Sequence, residues 1–226
     1  MRRWFPVAIA LACGAATALF PGSASAAPAH DPVVFVHGYG GSAAEFSVLR
    51  QAFLDAGYQP GELYSLDFSN TQLNEVTAGQ LAGLVGTALA ETGRSKADLI
   101  GFSMGSLSSR YYLKNLGGTA EVAHFASIAG ANHGTLLAYG CALITADQAC
   151  PQLQPTSPLV LGVNSGDETP GPTVYGTWAS PCDLAVVPSV SIRLAGADNH
   201  WTSCTDHVGT LANPAVQAQV VALFGT

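Results

Sequence analysis

The chain is poor in charge, and poorest in positive charge. Only 10% of its 226 residues are charged, and eight are Lys or Arg. Two of those eight, Arg2 and Arg3, stand at the very start. Without them, six basic residues face fifteen acidic ones, a net charge of −9. No basic cluster could neutralise a phosphate backbone, so nucleic acid is not an expected partner. The sequence also lacks any C-x-x-C pair or close Cys/His group, and a metal site is not expected. Internal repeats and charge blocks are missing as well. Beyond the N-terminal region no apolar stretch is long enough to cross a bilayer, so no transmembrane anchor is expected.

What is present begins with an export signal. Arg2 and Arg3 precede an apolar run from Val7 to Phe20, and Ala24-Ser25-Ala26 supplies small residues for cleavage. That layout predicts a secretory signal peptide over residues 1–26 and a secreted, extracellular protein. Cys13 raises a lipoprotein alternative. However, Ala10 stands where Leu is usual and the apolar run continues past the cysteine, so simple export is the reading taken. Residues 27–32 form a short Pro/Ala tail, and residues 33–226 are enough for one well-filled domain. Four cysteines remain: Cys141, Cys150, Cys182 and Cys204. An even count in an exported chain predicts two disulfides, with three possible pairings. The favoured pairing is Cys141–Cys150, which closes a short loop, with Cys182–Cys204.

The body alternates short apolar runs with helical patterns, the signature of βαβ units and a mostly parallel sheet. Strands are predicted at Val33–Val36, Leu63–Phe68, Asp98–Phe102, Val122–Ile128, Thr173–Trp178 and His200–Ser203. Ser189–Ala195 is ambiguous by periodicity. Helices are predicted from Ser42 to about Ala56, with Ser42 and Glu45 as a capping box, and over Glu75–Glu91, Ser106–Leu116 and Pro214–Phe224. Asn213 is the expected cap of the last helix. The stretch from Ala131 to Pro172 reads as loop with short helices, and 136–172 could form a modest flap. Crossovers between parallel strands are right-handed, and their helices can cover both faces. The expectation is a single-domain, doubly wound α/β fold of about six strands.

One turn in this pattern carries chemistry. Gly101-Phe102-Ser103-Met104-Gly105 follows a predicted strand and precedes a predicted helix. G-x-S-x-G in that setting is a nucleophile elbow, with Ser103 exposed at the tip of a strained turn. Its ordinary alternative is a βα turn with a capping serine. Acyl transfer also needs backbone donors for an oxyanion. The Met104 amide is one candidate. The loop His37-Gly38-Tyr39-Gly40-Gly41 follows the first strand, and its Tyr39 amide is the second. A serine hydroxyl needs a base. His207 is predicted to lie in a loop after the last strand, where loop residues carry catalytic groups, and His200 is the rival. His124 is expected to pack within a strand, and His133 comes too early in the chain. The acid candidates are Asp183, Asp167, Asp198 and Asp206. Asp167 sits in a polar turn beside Glu168, and Asp206 is too close to His207 in sequence to reach its Nδ1.

The segments Val36-His37-Gly38-Tyr39-Gly40-Gly41, Gly101-Phe102-Ser103-Met104-Gly105, Trp178-Ala179-Ser180-Pro181-Cys182-Asp183 and Asp206-His207 resemble the lipase class 2 family. So does Gly130-Ala131-Asn132-His133-Gly134-Thr135. The resemblance covers nearly all of the chain after the signal. It implies a minimal α/β-hydrolase and places the acid at Asp183. The chain departs from it at Phe102, where many lipases have His; that position bears on packing beside the serine. The resemblance implies triacylglycerol lipase or esterase activity through a Ser103–His207–Asp183 triad and an acyl-enzyme, with no metal or organic cofactor. A Cys182–Cys204 bridge would then staple the acid loop to the base loop. The expected partner is a lipid or other ester, including one at a lipid–water interface, and a monomer is expected. Within enzymes, a polyester or cutin-type hydrolase and an acyltransferase are the alternatives. Outside them stands an inactive α/β-hydrolase used for binding.

Overall fold

The computed structural model describes Met1, Trp4 and residues 30–225. The expected signal peptide, Cys13 and most of the Pro/Ala tail lie outside the described residues. Six strands build one sheet: β1 (Val33–Val36), β2 (Leu63–Leu66), β3 (Ala97–Phe102), β4 (Val122–Ile128), β5 (Val174–Ala179) and β6 (Asp198–Trp201). Their order is β2-β1-β3-β4-β5-β6, and every neighbouring pair is parallel.

β1 and β3 are buried along their whole length and β4 and β5 along most of theirs, which is why they read as apolar runs with little alternation; the edge strands β2 and β6 are partly exposed. The side chains still alternate between two cores. Val33, Phe35, Ile100, Ala126 and Trp178 point to one face, where Leu49 and Phe53 of α1 (Ser47–Asp55) pack with Val216, Val220 and Phe224 further along the chain. Val34, Val36, Leu99, Phe125 and Tyr175 point to the other. There they meet Leu81, Val85 and Ala88 of α2 (Asn74–Thr92) and Tyr112 and Leu113 of α3 (Met104–Asn115). Three short helices follow β4: α4 (Ala138–Ile144), α5 (Ala149–Gln152) and α6 (Pro158–Val163). Two close the chain, α7 (Gly209–Ala212) and α8 (Pro214–Phe224). Asn213 caps α8, its Oδ1 accepting the Ala215 N–H at 2.9 Å. None of the helices among the described residues is long and apolar enough to cross a membrane.

Several local expectations are corrected. Ser42 makes no capping bond, and a 3-10 turn at Ala43–Phe46 precedes α1. The Glu45 carboxylate faces the Gly38 N–H at 3.4 Å instead, so the box loses its return partner. The helix after the serine begins at Met104, two residues earlier than expected. Ser189–Ile192 is a 3-10 turn. The last strand is Asp198–Trp201, shifted toward the N-terminus because Gly176–Ala179 of β5 pair with it there.

The N-terminal ends of the strands carry a polar cluster. His30 stacks on Tyr58 at 4.0 Å and bonds the buried Glu62. Asp98, at the start of β3, accepts a hydrogen bond from His124 Nδ1 of β4 at 2.8 Å, and His124 stacks on Phe224. The C-terminal ends of the strands face the opposite way and carry the loops of the candidate site.

Candidate active site

β3 runs into α3 with a single residue between them. That residue, Ser103, has φ 52° and ψ −121°, a conformation costly for a side chain with a Cβ. Both flanking glycines are explained by crowding. A Cβ on Gly101 would collide with the backbone of Ser106, and one on Gly105 with the carbonyls of Val36 and His37. The bend is bonded on both sides. Ser103 N–H donates to the Ile128 carbonyl at 3.1 Å, and its own carbonyl accepts from Ala131 N–H at 3.0 Å. The strain is thus held by β4 and the loop that follows it.

Asp183 comes from the loop after β5, and its carboxylate is fully buried. Oδ1 accepts the N–H groups of Ala185 at 2.8 Å and Val186 at 2.9 Å. Oδ2 accepts from Nδ1 of His207 at 2.7 Å. Burial works to raise the pKa of this carboxyl. The bonds from His207, Val186 and Ala185 outweigh it, and the net shift is below the ordinary value. The carboxylate is therefore held ionised against a histidine. His207 comes from the loop after β6, with its side chain 17% exposed.

Two links hold these loops together. Cys182 is bonded to Cys204, and the other bridge is Cys141–Cys150, the pairing expected from sequence. Ser180 adds a second clamp. Its hydroxyl donates to the Thr205 carbonyl at 2.6 Å and accepts the N–H of Thr205 and of Cys182.

Ser103 and His207 line one cavity of about 220 Å³. Tyr39, Leu137, Ala138, Cys141, Leu153 and Val186 supply most of its apolar wall. A wider and shallower depression, about 460 Å³, lies beside His133 and Arg193, but it has no serine or cysteine in its wall. The smaller cavity is the one that brings a serine and a histidine together.

The Tyr39 amide N–H meets no acceptor among the described residues, and its hydroxyl donates to Asp147 Oδ2 at 2.5 Å. Met104 opens α3, so its N–H is one of the donors a helix start leaves without an internal partner. The rival groups are engaged elsewhere. His200 stacks on Trp178 and pairs with Asp198. His133 pairs with Glu168, and Asp206 accepts the Gly209 N–H. Asp167 accepts the Thr169 N–H in an exposed turn.

A six-stranded parallel sheet with a strand–serine–helix turn at its C-terminal edge defines an α/β-hydrolase. Residues 30–203 match the family Lipase (class 2), and the chain belongs to that family. It is an ester hydrolase of the lipolytic kind. Among solved structures it is similar to the mature form of the Bacillus licheniformis lipase BlEst2, with TM-score 0.67 and 19% identity over 85% of this chain and 93% of that one. It is also similar to Aspergillus fumigatus lipase B, with TM-score 0.71 and 16% identity over 91% of this chain and 55% of that one. An alpha/beta hydrolase from a lagoon-sediment metagenome, MGS-MChE2, gives TM-score 0.60 and 15% identity over 85% and 89%. At these identities the likeness is one of fold.

Three residues at or around the site were not singled out from the sequence, Asn70, Asp67 and Asp147, and Ser180 was quoted only as part of a family-like segment, without its clamping role. Asp67 falls inside the predicted strand Leu63–Phe68 and Asn70 two residues beyond it, and that change from apolar to polar residues was the only signal available for them.

Proposed function

We propose that this chain is a secreted serine esterase that hydrolyses lipid esters through an acyl-enzyme on Ser103. The observation that carries the reading is the 2.7 Å bond between Asp183 Oδ2 and His207 Nδ1, with His207 and Ser103 on the wall of one cavity. In that reading Asp183 fixes the imidazole tautomer with the proton on Nδ1, leaving Nε2 to act as base. The Ser103 hydroxyl loses its proton to Nε2 and its oxygen bonds the ester carbonyl carbon. The carbonyl oxygen becomes an oxyanion, received by the amides of Tyr39 and Met104. Collapse breaks the bond to the leaving alkoxide, which takes the proton from Nε2 and departs as an alcohol. Water then repeats the sequence on the acyl-enzyme and releases the acid.

Lipid esters are favoured by the surface beside the cavity. Leu136, Leu137, Leu143, Ile144, Leu184 and Val208 are all more than half exposed. Each lies next to, or on the same short helix as, a residue of the cavity wall. Such a patch is expected where a protein meets an apolar partner. Two disulfides fit an oxidising, extracellular setting, in line with the expected signal over residues 1–26.

The test is a panel of nitrophenyl esters and emulsified glycerides, run on wild type and Ser103→Ala. Turnover should vanish in the variant, and an organophosphonate should label Ser103 in the wild type. An inactive wild type would instead indicate a binding module, and full turnover by Ser103→Ala would remove the nucleophile.

A further inference from the structure

The loop proposed to supply the Tyr39 amide is built from residues with little conformational preference. Gly38, Gly40 and Gly41 surround Tyr39, and a turn bond runs from Gly41 N–H to the Gly38 carbonyl at 3.2 Å. Gly40 sits at φ +74°, as a type II turn requires of its third residue. Left alone, such a segment samples many conformations. An oxyanion donor is useful only if it is already in place, because reorganising it during the reaction costs what it would contribute.

The segment after β2 supplies the missing rigidity. β2 is the neighbour of β1, so their C-terminal loops lie side by side. Phe68 stacks flat on His37, with ring centroids 3.9 Å apart and planes within 6°. Asp67 Oδ1 accepts the Ala43 N–H at 2.8 Å. Asn70, two residues beyond Phe68, bonds the loop between the anchored positions His37 and Ala43. Its Oδ1 accepts the Gly40 N–H at 3.0 Å and its Nδ2 donates to the Gly41 carbonyl at 3.1 Å. A planar carboxamide that binds one N–H and one C=O of adjacent residues imitates a rung between strands. It fixes the Tyr39–Gly40 peptide plane and, further along the turn, the Gly41–Ser42 plane, without using the Tyr39 N–H itself.

We propose that Asn70 is a positioning residue for acyl transfer, clamping Gly40 and Gly41 so that the Tyr39 amide stays aimed at the oxyanion. The inference rests on the serine-esterase reading above. Asn70 does not touch the reacting atoms. It acts on the transition state through the loop, so its loss should appear in kcat and leave substrate binding nearly unchanged.

The experiment compares Asn70→Ala, Asn70→Asp and Ser103→Ala on nitrophenyl butyrate, with melting temperatures and inhibition by an alkylboronic acid as a tetrahedral mimic. Removing an oxyanion donor outright costs about a hundredfold or more in kcat, and loosening one should cost about tenfold to a hundredfold. Asn70→Ala is expected in that range, with KM within about twofold and the boronic acid weakened in step with kcat/KM. Asn70→Asp keeps the acceptor for Gly40 but turns a carboxylate oxygen toward the Gly41 carbonyl. That repulsion opens the Gly41 half of the clamp, so kcat should again fall with KM nearly unchanged, and this variant carries the test if the alanine variant fails to fold. Unchanged kcat in a folded Asn70→Ala protein overturns the inference, as does a loss seen only in KM. If Ser103→Ala is silent while Asn70→Ala is fully active, only the Asn70 role fails. If Ser103→Ala keeps its turnover, the esterase reading falls and this inference with it.

Discussion

The phenyl ring of Phe102 stands 4.8 Å from the imidazole of His207, ring centroid to ring centroid, tilted by 36°. The residue before the serine therefore supports one face of the histidine that faces the same cavity. Phe102 is also part of the core beneath, at 2% exposure. An aromatic contact of this kind is worth about 1 kcal/mol beyond plain burial. Phe102→Leu should keep the fold and lower kcat about fivefold, the rate equivalent of that energy. A Leu variant as fast as wild type would show that the imidazole is held without this contact.

Asp183→Asn tests the buried carboxylate. An amide can present its nitrogen to Nδ1 and stabilise the wrong tautomer, so kcat should drop by about four orders of magnitude while the fold persists. The same group sets an acid limit. Its folded pKa lies below the ordinary value, so its contribution to stability is present at neutral pH and is lost as pH falls through that depressed pKa. Acidification should lower the melting temperature of wild type more than that of Asp183→Asn. Parallel melting curves for the two would count against this assignment.

The two disulfides should differ modestly in what they contribute. Cys182 and Cys204 are 22 residues apart, and Cys141 and Cys150 are nine apart. Loop-closure entropy assigns about 3 kcal/mol to each, slightly more to the longer loop. Removing Cys182–Cys204 by a double Ala substitution should also cut kcat, because the acid and base loops lose their covalent tie. Removing Cys141–Cys150 should alter substrate choice, since Cys141 forms part of the cavity wall. Denaturant melts and ester panels on both variants decide this, and equal activity profiles would contradict it.

Asp98 predicts a pH effect of the opposite sign, far from the cavity. Burial raises its pKa to about 6 against the pull of His124. An unfolded aspartate ionises near 4. Its stabilising contribution is therefore complete below about 4 and is lost as pH rises through about 6. Asn in its place does not titrate. Asp98→Asn should gain on wild type by up to roughly 3 kcal/mol between about pH 4 and pH 8, at about 1.4 kcal/mol per pKa unit. Melting curves at the two pH values would disprove this if the difference between the proteins stayed constant.

Cavity size predicts acyl preference. A cavity of about 220 Å³ is smaller than the roughly 300–1,000 Å³ of sites that enclose a drug-sized ligand, so it holds an acyl chain of limited length. Dispersed nitrophenyl esters should be cleaved fastest at an intermediate acyl length, and Ala185→Leu, filling the cavity from its wall, should move the optimum to shorter chains. A rate that climbs steadily to the longest ester would exclude this cavity as the acyl site.

Much of the architecture was legible because its signals are local. Fully buried strands read as short apolar runs, and Leu81, Val85 and Ala88 mark the inner face of α2 through their spacing. Ser103 was legible because strand, glycines and helix stand together in sequence. Asp183 and His207 emerged from chain order and family likeness, and the structure brings their side chains into hydrogen-bond contact. What stayed hidden depends on partners far along the chain. Asn70 reaches back 30 residues to Gly40, Ser180 reaches forward 25 to Thr205, and Asp147 meets Tyr39 across 108. In sequence each looks like an ordinary polar loop residue. Glu45 misled for a more local reason: the Gly38 N–H, in the preceding loop, competes for the carboxylate that a capping box would need.

The placement of His30 and Phe224 at the N-terminal edge of the sheet has a practical side. Both residues lie against the cluster of Tyr58, Glu62 and His124, at the opposite end of the strands from Ser103. A label attached to the His30 side chain would therefore sit at the opposite end of the strands from Ser103 and His207.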